Sequence, residues 1–334
     1  MPSHSKKSIK RAGESLAREA LEPGFLSEAE KQDAWQKVGH WRTAHMEPLK
    51  TTLAHIDETC EKRFDYVLVS RLKRAKTIID KLNRSGYSFT LTSLRDIAGC
   101  RIIVNSIDEV QELSSLLAQS EMCVKELDYI RYPKDSGYRG FHVVYRLGAP
   151  TYGYDKLSVE IQIRSRRQHA WATAVEAYDI ACNTGIKFGL GTDEQKEFFS
   201  LASRLMTMGP EAEEKAAIRK RLRSLDGKLD VFDILHEAAG SMFVVDNGVT
   251  SVGKSDSCLI TVQPEMQEID LEVFPPEREI EAASRYTELE KSFDNDSFCL
   301  LARAASLEDL KRAYPNYYFN ITEFLGWLAF ELER

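Results

Sequence analysis

No run of about 18 apolar residues occurs anywhere in the chain, so no segment is long enough to cross a bilayer as a helix. Residues 1–15, MPSHSKKSIKRAGES, carry basic groups with no apolar stretch behind them, which is unlike a secretory leader. The expectation is a cytoplasmic protein with no membrane association. The cysteines Cys60, Cys100, Cys123, Cys182, Cys258 and Cys299 form no CxxC pair and no Cys/His cluster at zinc-ligand spacing. They read as reduced, mostly buried thiols. Repeats and low-complexity tracts are also absent. Positive charge is not in excess: 45 Lys and Arg stand against 52 Asp and Glu, a net charge of -7. That balance disfavours general coating of nucleic acid and leaves room for a local basic pocket that would hold phosphates.

What is present fills a core. Hydrophobic residues make up 43% and aromatics 10% of 334 residues, which suits two domains. Residues 1–24 are basic, then small and polar, and end in Glu22-Pro23-Gly24, the pattern of a loosely held flexible arm. Ser27 followed by Glu30 is a capping box for a helix carrying Trp35, Val38, Trp41 and His45 as far as Pro48. A second helix is expected from Leu49 to about Ser85. From Asp96 the texture becomes β, with strands at 100–104, 141–147 and 157–163 and a helix at 108–119. Helical periodicity returns at 168–179 and continues in charged segments through Leu229. The first domain, 25–235, is thus an α/β (α+β) unit, a mixed sheet flanked by helices. A small α/β module is expected over 240–334, with strands at 241–245, 258–262, 268–274 and 298–304 and helices after Pro275-Pro276, at 306–313 and at 321–333.

Four segments place charged or aromatic residues where a plain structural element would not need them. In RLKRAKTIIDKL (71–82), Arg71, Lys73, Lys76, Thr77 and Lys81 are read on one helix, as a phosphate-binding face or a solvated basic one. In LRDIAGCRII (94–103), Asp96 lies at the mouth of a strand, Gly99 permits close backbone approach, and Arg101 projects from the strand. An acid there suits a hard cation such as Mg²⁺, or caps a turn and pairs with Arg101. The loop of DYIRYPKDSGYRGFHVVYRL (128–147) presents Tyr138 between Lys134 and Arg139 before a strand carrying His142. An aromatic face flanked by cations suits stacking of a base. In VEIQIRSRRQHAWATAVE (159–176), alternation puts Val159, Ile161 and Ile163 on a core face and Glu160, Gln162 and Arg164 on the other. His169 and Glu176 then fall on one side of the following helix.

In this order and with these gaps, the four segments resemble the RelA/SpoT synthetase domain over residues 35–185. WRTAHMEPL (41–49) is similar to the leading helix of the longer family members, those with a C-terminal extension. The resemblance implies a nucleotidyltransferase-like fold and synthesis of the alarmone (p)ppGpp, by transfer of pyrophosphate from ATP to the 3′-hydroxyl of GDP or GTP. It implies that Arg71 and Arg101 sandwich adenine and that Lys73, Thr77 and Lys81 contact the ATP phosphates. Asp96 and Glu160 would hold Mg²⁺, with Glu160 also taking the proton of the attacking hydroxyl. Tyr138 would stack on guanine, Lys134, Arg139 and His142 would hold the acceptor, Gln162 would order the site, and Arg164, His169 and Glu176 would support it. Thr77 stands where the family usually has serine, which keeps the hydroxyl. Gly140 replaces a common serine and Ala177 a common histidine, which bears on acceptor choice. The His-Asp dipeptide of the family's hydrolase domain is absent, so hydrolysis of the product is not expected.

Two rival readings remain. The same chemistry could act on the 3′ end of tRNA, supported by the basic arm Lys6–Arg18 and the cluster Lys215–Arg223, or could make adenosine alarmones. Alternatively the fold could serve as a silent nucleotide sensor, against which the presence of both Asp96 and Glu160 counts. The C-terminal module has no chemistry assigned to it, and homo-oligomerisation is one of its open roles. Its aromatic end, Tyr314, Tyr317, Tyr318, Phe319, Phe324 and Trp327, reads as core rather than as a partner surface.

Overall fold

The computed structural model describes residues 4–84, 88–209, 213–240, 244–245, 249, 251–263, 268–292, 297–313 and 321–334. Helices α1 (Lys6–Leu21), α2 (Glu28–Ala44) and α3 (Met46–Cys60) lead into strand β1 (Val67–Leu72) and helix α4 (Ala75–Arg84). Then come β2 (Ala98–Val104), α5 (Ile107–Ala118), β3 (Cys123–Asp128), β4 (Phe141–Ala149) and β5 (Tyr154–Ser165). Helices α6 (Arg166–Ala181), α7 (Asp193–Thr207), α8 (Lys215–Leu229) and α9 (Val231–Gly240) follow. The chain ends with β6 (Val244–Val245), β7 (Ser257–Gln263), β8 (Glu268–Phe274), α10 (Glu279–Ser292), β9 (Phe298–Ala304), α11 (Leu307–Ala313) and α12 (Thr322–Glu333).

Among the described residues the strands form one mixed sheet in the order β3-β4-β5-β2-β1-β9-β7-β8-β6. Strands β2 and β5 run parallel, with Gly99 opposite Glu160 and Arg101 opposite Gln162. They can approach because residue 99 has no side chain: a Cβ there would lie 2.8 Å from the Glu160 carbonyl oxygen. The alternation of β5 resolves as expected. Val159, Ile161 and Ile163 are fully buried in a core shared with Ile56 of α3, Leu113 of α5 and Tyr286 of α10, while Glu160 and Gln162 face the other side. Ser27 and Ser165 each close a capping box, with Glu30 and Gln168, at the starts of α2 and α6.

Three expectations are corrected. The expected flexible arm contains a packed helix: Ile9, Ala12, Leu16 and Ala17 of α1 are buried against α2 and α4. Its apolar positions recur at helical spacing among basic residues, and tertiary burial decides that such a stripe is core. The single helix expected from Leu49 to about Ser85 is broken by β1, so Arg71 lies on a strand and Lys73 in the turn after it, leaving Thr77 and Lys81 on α4. A central strand covered on both faces has little polar alternation to betray it, and β1 follows the burial pattern of such a strand. The end of the expected helix, at Ser85, lies outside the described residues. The C-terminal segment, finally, is no separate module: β9 pairs with β1, Val69 opposite Ala304 and Arg71 opposite Ala302, and so continues the same sheet. Strand β3, which pairs with β4, was not anticipated.

The remaining C-terminal elements fall where they were expected, except that residues 241–243 of the first strand lie outside the described residues. So do Tyr314, Tyr317, Tyr318 and Phe319; Phe324 is fully buried against α6 and α9, and Trp327 packs beside it. None of the six cysteines is in a disulfide, and burial pushes the Cys60, Cys258 and Cys299 thiols up to about 12. Among the described residues no helix is long and apolar enough to cross a membrane.

His45, at the junction of α2 and α3, is 1% exposed and its Nδ1–H donates to the Trp41 carbonyl at 2.7 Å. Burial pushes its pKa from 6.5 down to about 4. The native state therefore keeps the ring neutral where the unfolded chain takes up a proton, so stability is full above pH 6.5 and is lost as pH falls towards 4. The loss amounts to roughly 2–3 kcal/mol. Urea unfolding between about pH 7 and pH 4.5 should show this slope, and His45→Gln should flatten it; an unchanged slope would remove His45 as its source.

Candidate active site

The polar face of the sheet gathers residues from four adjacent strands. His142 of β4 lies opposite Gln162 of β5, which lies opposite Arg101 of β2. Glu160 is one pleat along, opposite Gly99, and Gly99 is opposite Arg71 of β1. Arg71, Lys73, Asp96, Gly99, Arg101, Glu160 and Gln162 together line a pocket of about 120 Å³.

Asp96 sits at the head of β2 beneath two ammonium groups: its Oδ2 accepts from Lys73 Nζ at 2.6 Å and from Lys81 Nζ at 2.8 Å. Burial alone would raise its pKa, and the two lysines outweigh that and hold it below the usual carboxylate range. Its Oδ1 is buried and has no hydrogen-bond partner. An orphaned carboxylate oxygen beside a second carboxylate fits a Mg²⁺ ion, which takes one or two protein carboxylates and completes its shell with substrate phosphates and water.

Glu160 belongs to a closed ring of five side chains. Its Oε1 is 3.3 Å from His142 Nδ1, and its Oε2 accepts from Gln162 Nε2 at 2.9 Å. Arg164 Nη2 donates to Gln162 Oε1 at 3.1 Å and Arg164 Nε to the Tyr138 hydroxyl at 3.2 Å. His142 Nε2, 2.6 Å from that hydroxyl, completes the circuit. Against burial, which works the other way in each case, His142 holds the Glu160 carboxyl far down, while Tyr138 and Glu160 raise the imidazole. The Arg164 and His142 charges draw the Tyr138 phenol to about 8, again against burial. The ring thus links a carboxylate whose proton affinity is held down to an imidazole whose proton affinity is raised.

Tyr138 stands edge-on to Tyr129 and His142, with Lys134 Nζ and Arg164 Cζ each 5.0 Å from its ring centroid. Glu176 of α6 is held at about 2, against burial, by the charges of Lys187, Arg101, Arg71 and Arg164. Three of the expected residues lie apart. Arg139 turns into its own loop, donating to the Ile130 carbonyl and to Ser203 Oγ. Thr77 lines a second cavity, of about 1240 Å³, together with Trp35, Arg74 and Lys76. His169 points at α11, with Nε2 2.9 Å from the Arg312 carbonyl, and burial drives its pKa well down.

Sequence reasoning missed four contributors. Arg101 Nη1 donates to the Ala313 carbonyl at 3.0 Å, which brings the end of α11 to the pocket. Glu290 of α10 accepts from the Ala75 amide at the start of α4 at 2.8 Å and from the buried Arg42 Nη1 at 2.5 Å. Ser203 of α7 grips the tyrosine loop. Tyr129 packs on the ring. Only Tyr129 had a local signal, since it lies in the DYI of the third segment.

Two carboxylates and several cations thus converge on the polar face of a mixed sheet, a composition suited to holding phosphate groups. The family model described as "Region found in RelA / SpoT proteins" matches residues 70–180. GTP pyrophosphokinase YwaC of Bacillus subtilis is 34% identical over 143 residues, which span 41% of this chain and 68% of that protein. GTP pyrophosphokinase YjbM of the same organism is 32% identical over 136 residues, 38% of this chain and 64% of that one. Among solved structures, small alarmone synthetase 1 from Bacillus subtilis is 27% identical with a TM-score of 0.42, covering 57% of this chain and 99% of that one. The chain belongs to the RelA/SpoT family.

Proposed function

We propose that this chain is a GTP pyrophosphokinase that transfers pyrophosphate from ATP to the 3′-hydroxyl of a guanosine nucleotide. The observation that carries the reading is the single pocket in which Asp96 and Glu160 meet Arg71, Lys73 and Arg101. Two half-buried carboxylates among cations suit a reaction whose main demand is positioning and neutralising phosphate charge. The similarity to YwaC and YjbM, both named GTP pyrophosphokinases, supports the same reaction.

In the reaction, the acceptor 3′-oxygen forms a bond to the β-phosphorus of ATP, the bond from that phosphorus to the α,β-bridging oxygen breaks, and AMP leaves with that oxygen. The hydroxyl proton goes to Glu160. Asp96 and Glu160 are the residues that would hold Mg²⁺, which when bound supplies charge neutralisation on the β- and γ-phosphates. Lys73 and Lys81 hold phosphate oxygens, and Arg71 and Arg101 hold adenine between them. Tyr138 offers its ring to guanine, and Lys134 and His142 hold the acceptor's phosphates. When His142 turns to those phosphates it leaves Glu160, and the carboxylate loses the group that holds its proton affinity down.

The basic cluster proposed for tRNA is largely committed elsewhere: Arg219 pairs with Glu331, Arg221 with Glu197, and Arg223 donates to the Leu332 carbonyl. This favours a free nucleotide as acceptor. Purified protein with Mg²⁺ and β-labelled ATP should label GDP or GTP when these are offered beside an adenosine nucleotide and deacylated tRNA. Label on tRNA alone, or on the adenosine nucleotide alone, would replace the acceptor in this reading. No label on any acceptor would replace the enzyme with a sensor.

A further inference from the structure

Ser203 lies outside the family match, on α7, and is 4% exposed. Its hydroxyl makes two hydrogen bonds, both to the loop that carries Tyr138. It donates to the Gly137 carbonyl at 2.5 Å and accepts from Arg139 Nε at 3.3 Å. These are the residues immediately before and after Tyr138, so one hydroxyl grips the chain on both sides of the aromatic ring. The far end of the Arg139 guanidinium donates to the Ile130 carbonyl at 3.2 Å, and the Tyr129 amide donates to the Gly140 carbonyl at 3.0 Å, which draws the loop closed.

Two further observations indicate that the grip is built. Gly137 has φ +88°, and a Cβ on it would come within 2.8 Å of Ser200 Cα, so the loop backbone lies directly on α7. A side chain at 137 would be strained by the dihedral and would also push the loop off the helix. Helix α7 is in turn fixed to the site: Trp171 Nε1 of α6 donates to the Phe199 carbonyl at 2.8 Å, and α6 continues directly from β5, which carries Glu160 and Gln162. The path from the sheet to the tyrosine is therefore rigid elements joined by hydrogen bonds.

We propose that Ser203 is a positioning residue for the acceptor nucleotide: it holds Tyr138 in place for the base while touching neither substrate. Held loops lower the ordering cost of binding, so losing the grip weakens binding of the acceptor and leaves the ATP side unchanged. The inference rests on the reading that Tyr138 receives the acceptor base.

The test measures initial rates of the full chain with each substrate varied in turn, together with hydrogen exchange of the loop amides 129–140. Ser203→Ala should raise the acceptor KM about tenfold, leave the ATP KM and kcat within about twofold, and speed amide exchange across the loop. Gly137→Ala should give the same pattern, and Ser203→Thr, which keeps the hydroxyl, should recover part of the acceptor KM. An acceptor KM unchanged in Ser203→Ala, or an ATP KM that rises equally, would overturn the proposal. If the wild type transfers pyrophosphate to no acceptor, the functional reading fails by itself, and exchange still decides the grip: unchanged loop protection in Ser203→Ala would overturn it.

Discussion

Glu160→Gln is expected to abolish pyrophosphate transfer, by about 10³-fold or more, in a protein that still folds. Removing a positioned general base costs roughly 10²–10⁴-fold, and the same substitution removes one of the two carboxylates that would hold Mg²⁺. The fold should survive because glutamine is nearly isosteric and lies on the polar face of β5, away from Val159, Ile161 and Ile163. The site should change in a second way. Glu160 is one of the groups that raise the His142 pKa, so in the variant the imidazole should titrate lower, observable by NMR of the ring protons. A variant retaining a tenth or more of wild-type activity would remove Glu160 as base and metal ligand together. An unchanged His142 titration would dissolve the five-residue ring.

A fragment ending at residue 235 is expected not to fold. The cut removes β9, which pairs with β1, and leaves that strand as an exposed edge beside Arg71. It also removes Ile321, Phe324 and Leu328, all 2% exposed or less, from the core they share with α6 and α9. At about 1.5–3 kcal/mol for each buried side chain, this loss alone approaches the 5–15 kcal/mol that holds a typical domain folded. Arg42 decides the matter. It is 2% exposed, lies 4.5 Å from the Tyr286 ring, and has its ion-pair partner in Glu290. Cutting that partner away strands a buried guanidinium, at a cost of roughly 3–5 kcal/mol. Soluble yield and a circular-dichroism melt of the fragment against the full chain are the measurements. A cooperative transition within about 5 °C of the full chain would restore the C-terminal segment as a separate module.

Much of the site was legible because its residues are close in sequence within regular elements. Glu160, Gln162 and Arg164 alternate along one strand, so a period of two is enough to put them on one face. The capping box of Ser27 and Glu30 marked the start of α2 in the same local way. Strand β1 was not legible, because a strand buried on both faces lacks that period and its basic end, Arg71 to Lys73, runs on into a true helix. The first helix was misjudged for a related reason. Its lysines and arginines are visible in composition, but that Ile9 and Leu16 find partners is a property of α2 and α4.

By itself the sequence determined the chemistry at hand: two carboxylates, a tyrosine between cations, and a basic segment, in an order that places the chain in its family. Only the tertiary structure decided how those groups are held. The Glu160 ring closes across two segments, Ser203 reaches back 66 residues to the Gly137 carbonyl, and the Ala313 carbonyl meets Arg101 from 212 residues away. Periodicity reports which face a side chain occupies. Which other face it meets is set by sheet order and helix packing, where burial of apolar surface drives the approach and each buried polar group then takes the partner within reach.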